Sequence, residues 1–129
     1  MLKLTDILKR IGKHIQISNE EINGWRVKKY ADGEVEIRST FITTSTYAIT
    51  TAYGSVYRMN GTFNISLPIT LVDYTESQAF VSILAQGLDF AGGVRVHSPN
   101  LLSFFWANPA SYTANAGARI QILVKGKWK

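Results

Sequence analysis

The sequence predicts an all-β fold, an antiparallel β-sandwich, with a short helix ahead of it. Three observations carry this expectation. Asp32-Gly33 and Asn60-Gly61 each fall between two extended runs, and Asp-Gly and Asn-Gly are the strongest short hairpin signals. Residues 62–67 alternate cleanly, with Phe63, Ile65 and Leu67 on one face and Thr62, Asn64 and Ser66 on the other. Strand-sized runs then recur to the C-terminus, and Pro68, Pro99 and Pro109 fall at strand ends, where a missing N–H does least harm.

The elements follow in order. Leu4, Leu8, Ile11 and Ile15 recur at spacings of four, three and four, with Thr5 or Asp6 as a cap and Gly12 as a stop. This predicts a helix of about two turns over 4–12, too short to stand alone, so that it packs on a partner chain or on its own sandwich. An extended linker follows, and residues 1–22 form a unit separate from the sandwich at 23–129. Trp25–Ala31 and Glu34–Phe41 flank Asp32-Gly33 as the first hairpin. Tyr47, Ile49, Thr51, Tyr53 and Tyr57 share one parity, which predicts a strand with an aromatic face, or partly loop, before Asn60-Gly61 turns the chain. Gln78–Ala85 is apolar on both faces and reads as a central strand. Ala91–Ser98, Leu101–Ala107 and Ala118–Lys125 complete the set.

The chain has 129 residues, enough for one domain with a self-sufficient core. It has no Cys, which excludes disulfides, thiolate metal sites and a Cys nucleophile. No apolar run is long enough to cross a bilayer. The charged N-terminus (Lys3, Asp6, Lys9, Arg10, Lys13) is no signal peptide. The net charge of +5 is concentrated at the two ends, Lys3 to Lys29 and Arg119 to Lys129, around a nearly neutral middle.

Catalytic signatures are lacking. The two His, His14 and His97, sit in no metal-binding spacing, and no cofactor or metal is expected. Asp89, His97 and Ser98 form a triad only by chance assembly. Glu34 and Glu36 share a strand face about 6.6–6.8 Å apart. They form a solvated face opposite Arg26 and Lys28 rather than a glycosidase pair, whose members flank a bond from opposite sides. Gly92-Gly93 leads into a strand, not a phosphate-cradling helix. Trp25, Lys28 and Tyr30 hint at nucleic-acid binding, but the acidic return strand opposes it. An enzyme is not expected.

A ligand site is predicted from topology. If the last four strands run successively antiparallel, the loops near 86–91 and 108–117 emerge at one end. That end collects Gln86, Asp89, Phe90, Trp106, Asn108, Ser111, Tyr112, Thr113, Asn115 and Arg119. Rings that stack on sugar C–H faces, with amides, a carboxylate and a guanidinium for the hydroxyls, make up a glycan site. The competing expectation is that Trp106 and Phe90 are core and the rest are ordinary loop formers.

Three stretches resemble a C-terminal domain of tail, baseplate and fibre proteins of phages and prophages of Gram-positive hosts. Residues 24–36 are similar to its G-W-x-x-x-K-x-x-D-G-x-x-E opening. Ile65–Leu71 is similar to its central strand, Leu-Pro, strand. Val124–Lys129 is similar to its closing G-R-W-K, with Lys127 where that signature has Arg. The second half, with Val94, Val96 and Phe104–Trp106, also resembles the H-type lectin-like fold, a six-stranded sandwich that is often trimeric. The resemblance implies a homotrimeric, tail-associated receptor-binding module that attaches to host cell-wall or surface polysaccharide. It would be made in the bacterial cytoplasm and carried on the virion or outside the cell, without membrane insertion. The basic ends would suit anionic wall polymers. A purely structural protein that binds only other tail or baseplate proteins is the alternative. The chain is expected to be a small stand-alone tail component or the tip of a longer fibre.

Overall fold

The computed structural model describes residues 14–129. The helix expected over 4–12 lies outside the described residues. The described residues form two antiparallel sheets packed face to face, the sandwich expected, with no α-helix among them. The first sheet has the order β1 (Gln16–Ile22), β2 (Trp25–Tyr30), β3 (Glu34–Ile42), β11 (Arg119–Lys127), β7 (Gln78–Leu84). The second holds β10 (Tyr112–Ala114), β4 (Tyr47–Tyr53), β5 (Val56–Met59), β6 (Phe63–Ser66), β8 (Phe90–Ser98) and β9 (Leu101–Asn108). A 3-10 turn at Tyr74–Glu76 precedes β7. The eleven strands among the described residues exceed the six that the lectin resemblance implied.

The inward residues are those that alternation selects. Val27, Val35, Ile37, Ile120, Ile122 and Val124 of the first sheet meet Ile49, Leu102, Phe104 and Trp106 of the second, all buried. Strand β9 is the buried one, covered on both faces along most of its length. Strand β7, expected to be central, lies at the edge. Phe80 and Leu84 point to solvent at 53% and 51% exposure, while Ile83 is buried. Apolar residues on both faces thus mark an uncovered apolar face here rather than burial on both sides.

Asp32-Gly33 does close a hairpin, but through a three-residue loop. Gly33 alone takes positive φ (94°), and its N–H donates to the Tyr30 carbonyl at 3.0 Å. Asn60-Gly61 makes no hairpin. Strands β5 and β6 both pair with β9, Tyr57 opposite Asn108 and Phe63 opposite Phe104, so the chain continues along β9 after a break. Gly61 supplies the positive φ of that break, and Arg58 braces it through the carbonyls of Met59 and Gly61. The hairpins unforeseen are at Asn23-Gly24, where both residues have positive φ as a type I′ turn requires, and at Gly54-Ser55. The first makes Gln16–Ile22 a strand of the sheet rather than a linker, so the boundary drawn at 22/23 falls inside a hairpin. A bulge between Ile49 and Thr51 also breaks the Tyr parity. Tyr47 packs on Trp106 inside, whereas Tyr53 stands outside, edge-on to Phe105.

The opening and closing signature stretches meet. The Trp128 N–H donates to the Gly33 carbonyl at 2.8 Å, and its indole Nε1–H donates to the Tyr30 carbonyl at 3.0 Å. Lys29 and Lys129 flank the Trp128 ring, at 5.0 and 5.1 Å from its centroid. A Cβ on Gly33 would lie 2.8 Å from the Lys129 carbonyl oxygen, on a backbone that already needs positive φ. Gly33→Ala is therefore expected to lower stability by about 1–3 kcal/mol, read by denaturant unfolding.

Candidate functional site

The chain changes sheets between Leu84 and Phe90, so the last four strands do not form one successive meander: β7 and β11 pair in the first sheet, β8 and β9 in the second. The predicted loops nevertheless converge, around Asp89. Its Oδ1 accepts from Trp106 Nε1 at 2.8 Å, from Asn108 Nδ2 at 3.0 Å and from the Tyr112 hydroxyl. Its Oδ2 accepts the Gln86 backbone N–H at 2.6 Å. Trp106 and Asn108 are two apart on β9 and so share a face. Tyr112 arrives on β10, held beside Ile49 of β4. Burial works to raise the Asp89 carboxyl, but hydrogen bonds from Tyr112, Asn108, Trp106 and Gln86 outweigh it and hold its pKa below the ordinary carboxylate range. Burial, then the neighbouring carboxylate, pushes the Tyr112 phenol well above its ordinary value.

This cluster spends its polar groups on itself. Trp106 is wholly buried and offers no face to a sugar. Asn108 is buried too, and its Oδ1 accepts the Ala110 N–H at 2.8 Å. Gln86 takes part through its backbone. Phe90, Asn115 and Arg119 are exposed and lie outside the cluster's hydrogen bonds. The arrangement pins three chain segments together at one end of the sandwich.

The register places Glu36 opposite Lys28, as expected, while its carboxylate pairs with Arg38 beside it on β3, and Glu34 lies 3.2 Å from His14 Nδ1. His14 also contacts Asp32 at 2.8 Å and stacks on Tyr30, ring centroids 4.2 Å apart. One donor atom each from His14, Asp32 and Glu34 lies within 4.8 Å of the others, at an exposed position. Sequence separation hid this grouping. Trp25 is buried, which removes the stacking platform that a nucleic-acid reading needs.

Sequence reasoning missed the outer face of the first sheet. There a groove of about 620 Å³ is lined by Arg26, Arg38, Thr40, Phe80, Ser82 and Gln121 among others. The available signal is the parity of Phe80, opposite to that of Val81 and Ile83 within Gln78–Ala85. On the second sheet's outer face, Phe105 lies over Gly92 and Gly93, with the Arg58 guanidinium 3.7 Å from its centroid. A Cβ on Gly92 would sit 2.4 Å from that ring. Gly92→Ala is expected to displace Phe105 and cost about 1–3 kcal/mol, seen as a lower melting temperature and altered Phe105 ring resonances.

No protein-family model matches the chain, and no curated protein matches it. Among solved structures, the chain is similar to the P. aeruginosa R1 pyocin fibre fragment comprising C-terminal residues 323-701, with a TM-score of 0.57 and 8% identity. The match covers 98% of this chain and 32% of that one, so the chain spans about a third of the fibre fragment. At this identity the likeness shows a shared fold. No helix among the described residues is long and apolar enough to cross a membrane.

Proposed function

We propose that the chain is a tail-fibre-type attachment module. It acts as a homotrimer on a phage or phage-derived tail, binds host surface glycans and catalyses no reaction. The observation that carries this reading is the fold match, which runs over nearly the whole chain and falls within a fibre's C-terminal part. The sandwich adds one support: its outer faces leave aromatic and cationic side chains in solvent, as at Phe80 and Arg26. Trimeric presentation would convert a weak site into useful avidity.

The test is adsorption of the labelled protein to bacterial cells. Binding that survives protease treatment of the cells and is lost after periodate oxidation of their glycans supports the reading. Binding lost to protease and kept after periodate contradicts it. A second reading, a structural tail component that binds only other proteins, is favoured by one observation: Ile42, Phe80 and Leu84 are half exposed on the outer face of the first sheet.

A further inference from the structure

The groove on the first sheet is built in two cross-strand rows. The register places Glu21 opposite Arg26, Arg26 opposite Arg38, Arg38 opposite Leu123, and Leu123 opposite Phe80. One row therefore runs across all five strands. It carries two guanidiniums toward one side and an exposed aromatic ring at the other. From Arg26 to Phe80 it spans three strand spacings, about 14 Å. Beside it runs a second row, in which Gln121 lies opposite both Thr40 and Ser82. Ser82 Oγ donates to Gln121 Oε1 at 3.2 Å, which fixes the amide and leaves its NH₂ free to donate outward.

Two features of these rows point to an anion. Arg26 and Arg38 are directly opposed cross-strand neighbours, an unfavourable pairing of like charges that Glu21, opposite Arg26, and Glu36, bonded to Arg38, flank but do not separate. Arg38 holds Glu36 through Nη2, whereas Arg26 makes only a 3.5 Å contact to Asn19 Oδ1 among the described residues, at the limit of a hydrogen bond. A carboxylate or phosphate between the two guanidiniums would relieve their repulsion and accept planar, bidentate hydrogen bonds. Phe80, 53% exposed, offers an apolar platform at the other end, and the Gln121 amide and the hydroxyls of Thr40 and Ser82 lie alongside for sugar hydroxyls.

We infer that this face binds an acidic oligosaccharide, its anionic group between Arg26 and Arg38 and a sugar ring on Phe80. The inference rests on the glycan reading above and places the ligand on the first sheet rather than at the Asp89 end. The tests are titrations of the intact oligomer, followed by NMR or calorimetry, with oligogalacturonate, phosphomannan and neutral mannan. The first two separate carboxylate from phosphate as the preferred anion. Saturable binding to either acidic glycan, weaker in high salt and about tenfold stronger than to neutral mannan, is expected. Arg26→Ala and Phe80→Ala should each weaken it about tenfold with the melting temperature unchanged, since both side chains are exposed. Equal binding to neutral mannan overturns the inference. So does wild-type affinity in both variants: if periodate-sensitive cell adsorption persists, the glycan reading stands and the site lies elsewhere. If Phe80→Ala dissociates the oligomer, the face is an interface between copies and the inference fails.

Discussion

Replacing Asp89 by Ala is expected to destabilise the fold by about 3 kcal/mol or more and to lower the melting temperature by roughly 10 °C. The effect is large because one carboxylate serves four donors. Without it, Trp106 Nε1, Asn108 Nδ2, the Tyr112 hydroxyl and the Gln86 N–H lose their acceptor together. Trp106 and Asn108 are buried, so water does not readily replace what they lose. Asp89→Asn should cost less, since one oxygen remains, but its NH₂ would face donors. The same carboxylate gives an acid dependence. Its folded pKa is depressed, so its contribution is fully present above the ordinary unfolded value of about 3.9 and is lost as pH falls through the lower folded value. Chemical denaturation between pH 5 and pH 2 should show this loss in the wild type and less of it in Asp89→Asn. An acid profile identical in both would contradict the role assigned to Asp89.

Trp106→Ala should cost about 4 kcal/mol, by emptying a fully buried site and withdrawing one of the Asp89 donors. The ring packs with Tyr47, which packs on Phe63, which stacks on Phe104, so the cavity opens inside a continuous aromatic array. Trp106→Phe keeps much of that volume and should cost roughly 1–2 kcal/mol. Because Trp106 and Asp89 are bonded, the double variant Trp106→Phe with Asp89→Asn should be less destabilised than the sum of its parts. Strict additivity in urea unfolding would show that the Nε1 hydrogen bond adds nothing.

The sandwich was legible because alternation at 62–67 and the placement of Pro68, Pro99 and Pro109 at strand ends are local signals of strands. That the loops at 86–91 and 108–117 share an end was legible, since β8 and β9 alone suffice to bring them together; the convergence on Asp89 was not. Nor was what the cluster does. Residue types that suit a sugar site also suit a self-satisfied structural hub, and only the hydrogen-bond partners separate the two. Asn60-Gly61 misled because a positive φ can break a strand as readily as reverse it, and the outcome depends on β9, distant in sequence. Gln78–Ala85 misled for a related reason. Apolar residues on both faces cannot tell a face covered by protein from a face left in solvent. The Arg26–Phe80 row was hidden because its residues come from four strands, brought into line only by register.

The most direct measurement of the central claim is a glycan array probed with the intact protein, its oligomeric mass checked in the same buffer. A trimeric mass and saturable binding to at least one class of bacterial surface glycan, strengthened by dense display, are expected. Intact trimers that bind no glycan at high protein concentration would contradict it.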